Sequence, residues 1–333
     1  MDISTRSLTF TPERKARLTD LVRQIIGNYG LLLIMLLLML GFSVFYPVFW
    51  SLSNQINIVF AASLIGIMAV FSTFVILTGG IDISVGSTVA VSGLVAALLL
   101  ETGQPLLTAL LGGIGVSAIV GLVNGVAIAY LGLPPIVVTL GALSIVRGTG
   151  LLIGGSTLHL IREPAEFLFI GGGRIGGLPF PIFIFTAAAL LMLFVQTRTH
   201  FGLSIYAVGE NERAASLCGL PVRLVKLLVY LLSSVGAGIA GIVLAAQVST
   251  ASANYGNALE LDVIAAIVVG GTSLRGGRGS VHRSVFGALL IAAVNNGLSI
   301  LNVSTDQQLI AKGVIIVAAI VLNNRLQKWS ETL

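Results

Sequence analysis

The chain has 333 residues, of which 56% are hydrophobic and 9% charged, with a mean hydropathy of +1.03. Soluble domains carry about a quarter charged residues, so this chain lacks the polar surface a water-soluble enzyme needs and is expected to sit in a membrane. A net charge of +5 would suit nucleic acid in a soluble protein. Here the positive residues flank apolar runs, so orientation in a bilayer accounts for them and no nucleic-acid partner is expected.

A spanning helix needs about 20 apolar residues, whereas barrel strands alternate over about ten. The runs here are continuous, which predicts an all-α, polytopic bundle. Residues 1–27 read as a cytoplasmic tail, with Thr11, Pro12 and Glu13 able to open a short surface helix and no small-residue cleavage site after them. Residues 28–325 read as the transmembrane domain, and 326–333 as a second cytoplasmic tail.

In chain order the predicted spans are 28–49, 58–77, a third from the TGGIDISVGS stretch (78–87) to 100, then 106–130, 136–153 and 179–195. A longer loop over 154–178 precedes the sixth. The polar segment 199–223 follows, then a span over 224–247, a small and polar stretch at 249–257, and a short apolar element at 259–271 that reads as re-entrant. A glycine-rich basic loop at 272–283 leads to spans at 285–301 and 310–322. That makes about ten.

Lysine and arginine support this count. Arg6 to Arg23, Arg198 to Lys226, Arg275 to Arg283, and Arg325 with Lys328 form four clusters, and ten crossings place all four on one side. The positive-inside rule makes that side cytoplasmic, with both termini there.

Glycine is abundant at 40 residues; in membrane helices small residues allow close backbone approach. Gly79, Gly80 and Gly86 in the first half and Gly270, Gly271 and Gly277 in the second interrupt apolar segments, which suggests a transporter built from repeats. Asp82 sits in the first of these breaks, as a gate or as a cap for the span that follows. Arg147 is the other interior charge. Asn124, Asn295 and Asn296 lie on apolar spans, where each is suited either to a solute's hydroxyls or to joining helices.

The single cysteine, Cys218, excludes an internal disulfide and reads as a packing residue. His159, His200 and His282 show no metal-ligand spacing, and neither a phosphate-binding GxxxxGK[ST] nor a GxSxG elbow is present. No catalytic, metal or cofactor residue is therefore expected in this chain, and uphill transport needs a separate motor or an ion gradient.

The segment 199–223 stands out against this background. Glu210, Asn211, Glu212 and Arg213 are followed by Ala214-Ala215-Ser216-Leu217 and a Gly219-Leu220-Pro221 stop. This reads as a short helix held outside the bilayer, where a partner can grip it.

Three stretches together, LTGGIDISVGS at 77–87, YAVGENERAASLCGL at 206–220 and AIVVGGTSLRGGRGSV at 266–281, resemble the permease subunits of bacterial ABC importers for ribose and similar monosaccharides. The resemblance spans nearly the whole chain. It implies an inner-membrane permease dimer, identical or mixed, with two cytoplasmic ATP-binding subunits that use ATP and Mg2+, a periplasmic solute-binding protein and a sugar as cargo. It further implies that Gly209, Asn211, Glu212, Arg213, Ala214, Ala215 and Gly219 belong to a coupling helix docked on the ATPase. Glu210 departs from the glycine or asparagine usual in the family, as do His282, Arg283 and Ser284 from its hydrophobic-Gly-Thr sequence. An ion-coupled secondary transporter is the alternative reading; it needs ionisable groups inside the bundle, and Asp82 and Arg147 are the clear charged candidates. A membrane enzyme would need clustered His, Asp or Glu at one face.

Overall fold

The computed structural model describes residues 40–41, 43, 46–304, 307–311 and 313–314. The predicted tails lie outside them, and the predicted first and last spans largely so. Among the described residues, six helices are long and apolar enough to cross a membrane.

A 3-10 turn at Pro47–Trp50 leads into α1 (Leu52–Leu77). The helix starts six residues before the predicted span, because Ser51 caps it by accepting the Asn54 N–H at 3.2 Å. The polar break expected at 51–57 is thus its first turn. α1 is apolar on all sides and 78% of its central window is buried, as expected of a helix at the middle of a bundle. Thr78 to Ser84 is non-helical, and α2 (Val85–Glu101) follows.

A short turn joins α2 to α3 (Leu106–Ala129), and α4 (Pro135–Gly154) begins at a proline in its first turn, where the missing N–H costs nothing. Only 17% of the α4 window is buried. The predicted loop at 154–178 carries more structure than its composition shows. It holds β1 (His159–Leu160), α5 (Ala165–Gly172) and a hairpin of β2 (Arg174–Ile175) with β3 (Leu178–Pro179).

The chain then runs through α6 (Phe180–Arg198), α7 (His200–Glu210), α8 (Glu212–Leu217) and α9 (Val222–Val248). β4 (Thr250–Ala251) pairs antiparallel with β1, His159 opposite Ala251. α10 (Leu259–Val269) is eleven residues long, about 16 Å at the α-helical rise, so it reaches only about half way across. α11 (Val281–Ile300) completes the described bundle.

α9 is the hub, packed on α1, α2 and α3. Small residues make this possible. A Cβ added to Gly121 would lie 2.7 Å from the Tyr230 carbonyl, and one at Gly125 2.9 Å from that of Leu227; these two glycines, one turn apart on α3, let it lie directly on α9. The main core gathers α1, α9, α10 and the inner sides of α6, α7 and α11 around Phe71, Phe74, Ile267 and Tyr230.

The two breaks run in opposite directions. Residues 78–84 start at the side that carries α7 and α8, called here the loop side, and rise to the start of α2. Residues 249–258 start at the far side, beside β1, and descend to the start of α10. The two meet where Gly86 of α2 packs under the Gly256 carbonyl.

Candidate functional site

The polar segment forms a knob. Thr199 caps α7 by accepting the Gly202 N–H at 3.1 Å. α7 stops at Glu210, and Asn211 turns extended; its Oδ1 accepts the Ala214 N–H at 2.9 Å and so starts α8. Glu212 lies in the first turn of α8, where the helix dipole favours an anion. At the other end Gly219 takes φ +83°, and the Leu220 N–H returns to the Ala215 carbonyl at 3.1 Å.

The residues named from the sequence divide by direction. Ala215 is buried and packs into the core, whereas Asn211, Glu212, Arg213, Ala214 and Gly219 are exposed. Glu212 also accepts from Lys226 Nζ at 2.6 Å, which ties α8 to the first turn of α9. Leu217 was not singled out, yet it is 83% exposed at the tip; the signal was a lone leucine at the end of the most polar stretch. Cys218, expected to pack, is exposed beside it, because α8 ends before turning that position inward.

The root of the knob is made of bare backbone. The Gly277 N–H donates to the Leu77 carbonyl at 2.9 Å. A Cβ on Gly209 would fall inside that same carbonyl. A Cβ on Gly276 would lie 2.8 Å from the Gly79 nitrogen and 3.0 Å from the Gly209 carbonyl. The C-terminus of α1, the C-terminus of α7 and the loop between α10 and α11 thus converge mainly backbone to backbone, with the Glu210 carboxylate lying against Gly277. Gly79 and Gly277 have φ of +78° and +70°, a region glycine enters freely.

Hydrogen bonds extend this junction. Tyr206 of α7 donates to the Gly279 carbonyl at 2.7 Å and accepts from Gln196 Nε2 of α6. Gln196 Oε1 in turn accepts the Val281 N–H that opens α11, at 2.9 Å. Burial pushes the Tyr206 phenol up, with Gln196 and Arg283 opposing, so it stays a neutral donor.

Deeper in, Asp82 joins four helices. Its Oδ1 accepts the Ser84 N–H at 3.1 Å and the Ser84 hydroxyl at 2.6 Å; its Oδ2 accepts the Ser233 hydroxyl of α9 at 2.9 Å. Ser72 of α1 donates to Ser233 at 3.0 Å, and Asn124 of α3 donates to Ser84 Oγ at 2.9 Å. Gly80 lies beside this network, against the Tyr230 hydroxyl.

Other residues of interest lie apart. Asn296 and Asn54 exchange reciprocal hydrogen bonds of 3.0 Å between α11 and α1. Asn295 Oδ1 is buried with no hydrogen bond among the described residues. Gly270 packs on the Arg283 carbonyl, and Gly271 takes φ +90° after α10. Arg283 points outward, while Ser284 is buried and accepts from Thr73 at 2.7 Å; the unusual arginine leaves the α1–α11 packing intact. Arg147 donates through Nη1 to the carbonyls of Ala253 and Tyr255, at 2.7 and 2.5 Å. Two interior acids escaped the reading of the sequence, Glu260 and the buried Asp262 in the first turn of α10. Their signal was Leu259-Glu260-Leu261-Asp262 inside an otherwise apolar run.

Six apolar helices long enough to cross a membrane, with an exposed polar knob at one end, define a polytopic helical membrane protein. Residues 54–320 match the family described as branched-chain amino acid transport system / permease component, and the chain belongs to that family. It is 39% identical over 328 residues to the probable ABC transporter permease protein YphD of Escherichia coli (strain K12), covering 98% of each chain. It is 38% identical over 299 residues to the ribose import permease protein RbsC of the same strain, covering 89% of this chain and 93% of that one. With the D-allose transport system permease protein AlsC, also of that strain, it shares 35% over 303 residues, 90% and 93% of the two chains. No solved structure matches.

Proposed function

We propose that this chain is the path-forming permease of an ATP-binding cassette importer that brings in a monosaccharide or a similar small polyhydroxylated solute. The observation that carries the reading is its likeness, over about nine-tenths of its length, to permeases named for ribose and for allose. The exposed knob adds a mechanical reason. Its tip presents Leu217 and Arg213 to a partner, and its root touches α1 and the α10–α11 loop through glycine backbone. A partner that moves α8 therefore moves the end of α1 and the loop that joins α10 to α11.

In this reading two cytoplasmic ATP-binding subunits grip α8 and hydrolyse ATP with Mg2+, while this chain contributes no hydrolytic group. A second permease, identical or related, forms the other half of the path. A periplasmic binding protein delivers the solute at the far side, and both termini lie in the cytoplasm of a bacterium whose inner membrane holds the complex.

The test is reconstitution of the complete complex in proteoliposomes with its binding protein and a panel of radiolabelled pentoses and hexoses. Uptake that requires ATP and survives an uncoupler is expected. Uptake driven by an ion gradient without ATP would establish the secondary-transporter reading instead.

A further inference from the structure

Residues 249–258 pose a problem of depth. They leave β4 at the far side and descend along α4. Ala253 lies against Gly150, and Arg147 then takes the carbonyls of Ala253 and Tyr255. Arg147 is seven residues from the far end of α4, about 10 Å at 1.5 Å per residue. α10 begins at Leu259, about 16 Å from its own end at the loop side. The segment therefore ends near the middle of a hydrocarbon layer about 30 Å thick.

Non-helical backbone at that depth is tolerated only where protein buries it or water reaches it. Among the described residues, protein buries only part of this one: Ala251 to Ala253 are buried, but Asn254 and Asn257 are exposed and Glu260 is half-buried. Lipid cannot cover two amides and a carboxylate at mid-depth without a cost of several kcal/mol. This face therefore needs polar surroundings, and water in the path between the two permease subunits supplies them.

The groups on it suit a particular kind of ligand. Asn254 and Asn257 each offer a donor and an acceptor. Arg147, held on the carbonyls of Ala253 and Tyr255, adds a guanidinium to the segment that ends at the Glu260 carboxylate. One Glu260 oxygen is buried over Gly86 with no hydrogen bond among the described residues. Asp262, two residues on, is buried, and its charge acts on Glu260 from within the protein. A guanidinium, a carboxylate and two amides offer donors and acceptors together, which suits the adjacent hydroxyls of an uncharged solute.

We infer that Arg147, Asn254, Asn257 and Glu260 form a mid-membrane contact site for the hydroxyl groups of the transported solute, on the water-filled face of this chain. Gly86 makes room for Glu260, and Arg147 holds the descending backbone open while it balances the carboxylate. The site rests on the sugar-importer reading for the identity of its ligand; its exposure to water does not.

The experiment uses the reconstituted complex with Cys218→Ser in this chain. Asn257→Cys and, as a second reporter, Asn254→Cys are treated with a membrane-impermeant thiol reagent, with and without each monosaccharide. Labelling of both positions is expected, slowed at least several-fold by the sugars that are transported and by no others. In parallel, Glu260→Gln is expected to raise the KM for transport at least tenfold while the complex still assembles in the membrane. Absence of labelling at both positions in an active complex would overturn the aqueous face. Labelling without protection, or a wild-type KM in Glu260→Gln, would overturn the contact site. A complex that labels at both positions but moves no sugar would instead reject the monosaccharide reading and leave the aqueous face standing.

Discussion

The Gly277 N–H donates to the Leu77 carbonyl across 2.9 Å, and Gly209 packs on the same oxygen with no room for a side chain. One carbonyl at the end of α1 is therefore shared by the knob and by the loop that links α10 to α11. Backbone contacts of this kind cannot slide by a rotamer change. A displacement of α7 must move α1, the loop, or both.

Gly209→Ala tests this junction. The added carbon meets a carbonyl rather than a flexible side chain, so overpacking of about 1–3 kcal/mol is expected. It should appear as a lower melting temperature of the purified permease and a loss of ATP-driven uptake. Gly219→Ala is the control: nothing lies near its Cβ, though φ is +83°, and the cost is about 1 kcal/mol of backbone strain. Equal behaviour of the two variants would dismiss the junction.

Much of this architecture was legible in the residues, and the reasons are physical. Long apolar runs mark α1, α3, α4, α6 and α9, because a bilayer demands them. Asn211, Gly219 and the charges between them mark α8, because caps and stops are local. The meeting of Gly79, Gly209 and Gly277 was not legible, since it depends on three segments far apart in the chain. Nor was the pairing of Asn54 with Asn296. A polar residue in the first turn of a membrane helix looks like a boundary until its partner on another helix is known.

Leu217 is the second test. It is 83% exposed in this chain, so Leu217→Asp should leave folding and membrane insertion unchanged. If a partner buries it, removal of a leucine contact costs about 1.5–3 kcal/mol, or a 10- to 150-fold loss of affinity for the ATP-binding subunits, measured by titration of the detergent-purified components. Undiminished affinity would place the grip elsewhere on the knob.

Glu212 and Lys226 allow a charge-swap cycle. Their 2.6 Å pair is partly exposed, so its stabilising worth is expected to be about 0.2–1 kcal/mol. Its value lies in direction, since it fixes α8 against α9. Glu212→Lys and Lys226→Glu should each lower coupled uptake several-fold, and the double swap should recover most of it. No recovery in the swap would mean that the partner, not Lys226, reads the Glu212 charge.

Asn54 and Asn296 exchange hydrogen bonds between α1 and α11, and Asn54 Nδ2 also donates to the Phe49 carbonyl at 3.0 Å. Asn54→Leu leaves one amide facing an apolar group, and hydrogen bonds between membrane helices average about 0.6 kcal/mol with a maximum near 1.7. A melting-temperature decrease of a few degrees is expected for either single change. The Asn54→Leu, Asn296→Leu double variant should recover part of it, because no amide is then left unpaired. A double variant no better than the sum of the singles would show that the Asn54 bond to the Phe49 carbonyl, rather than the amide pair, carries the loss.

His159 supplies a pH dependence at the far side. Its Nε2 faces the Gly154 carbonyl at 2.8 Å and its Nδ1 faces both Glu101 oxygens at 3.0 and 3.1 Å. Two acceptors on two ring nitrogens favour the doubly protonated ring; the Gly154 carbonyl is the largest influence and raises its pKa above the usual 6.5, burial opposes it, and Glu101 adds to the rise. A raised folded pKa means that the stabilisation is fully present below about pH 6.5, the unfolded value. It is lost as pH rises through the folded value. The side chain is partly exposed and the pair small in effect, so the measurement must be differential. The melting temperature of wild type minus that of His159→Gln should be positive near pH 5.5 and shrink towards zero by pH 9. A difference that grows with pH would show that the ring is neutral in the folded chain and that Glu101 stabilises it in some other way.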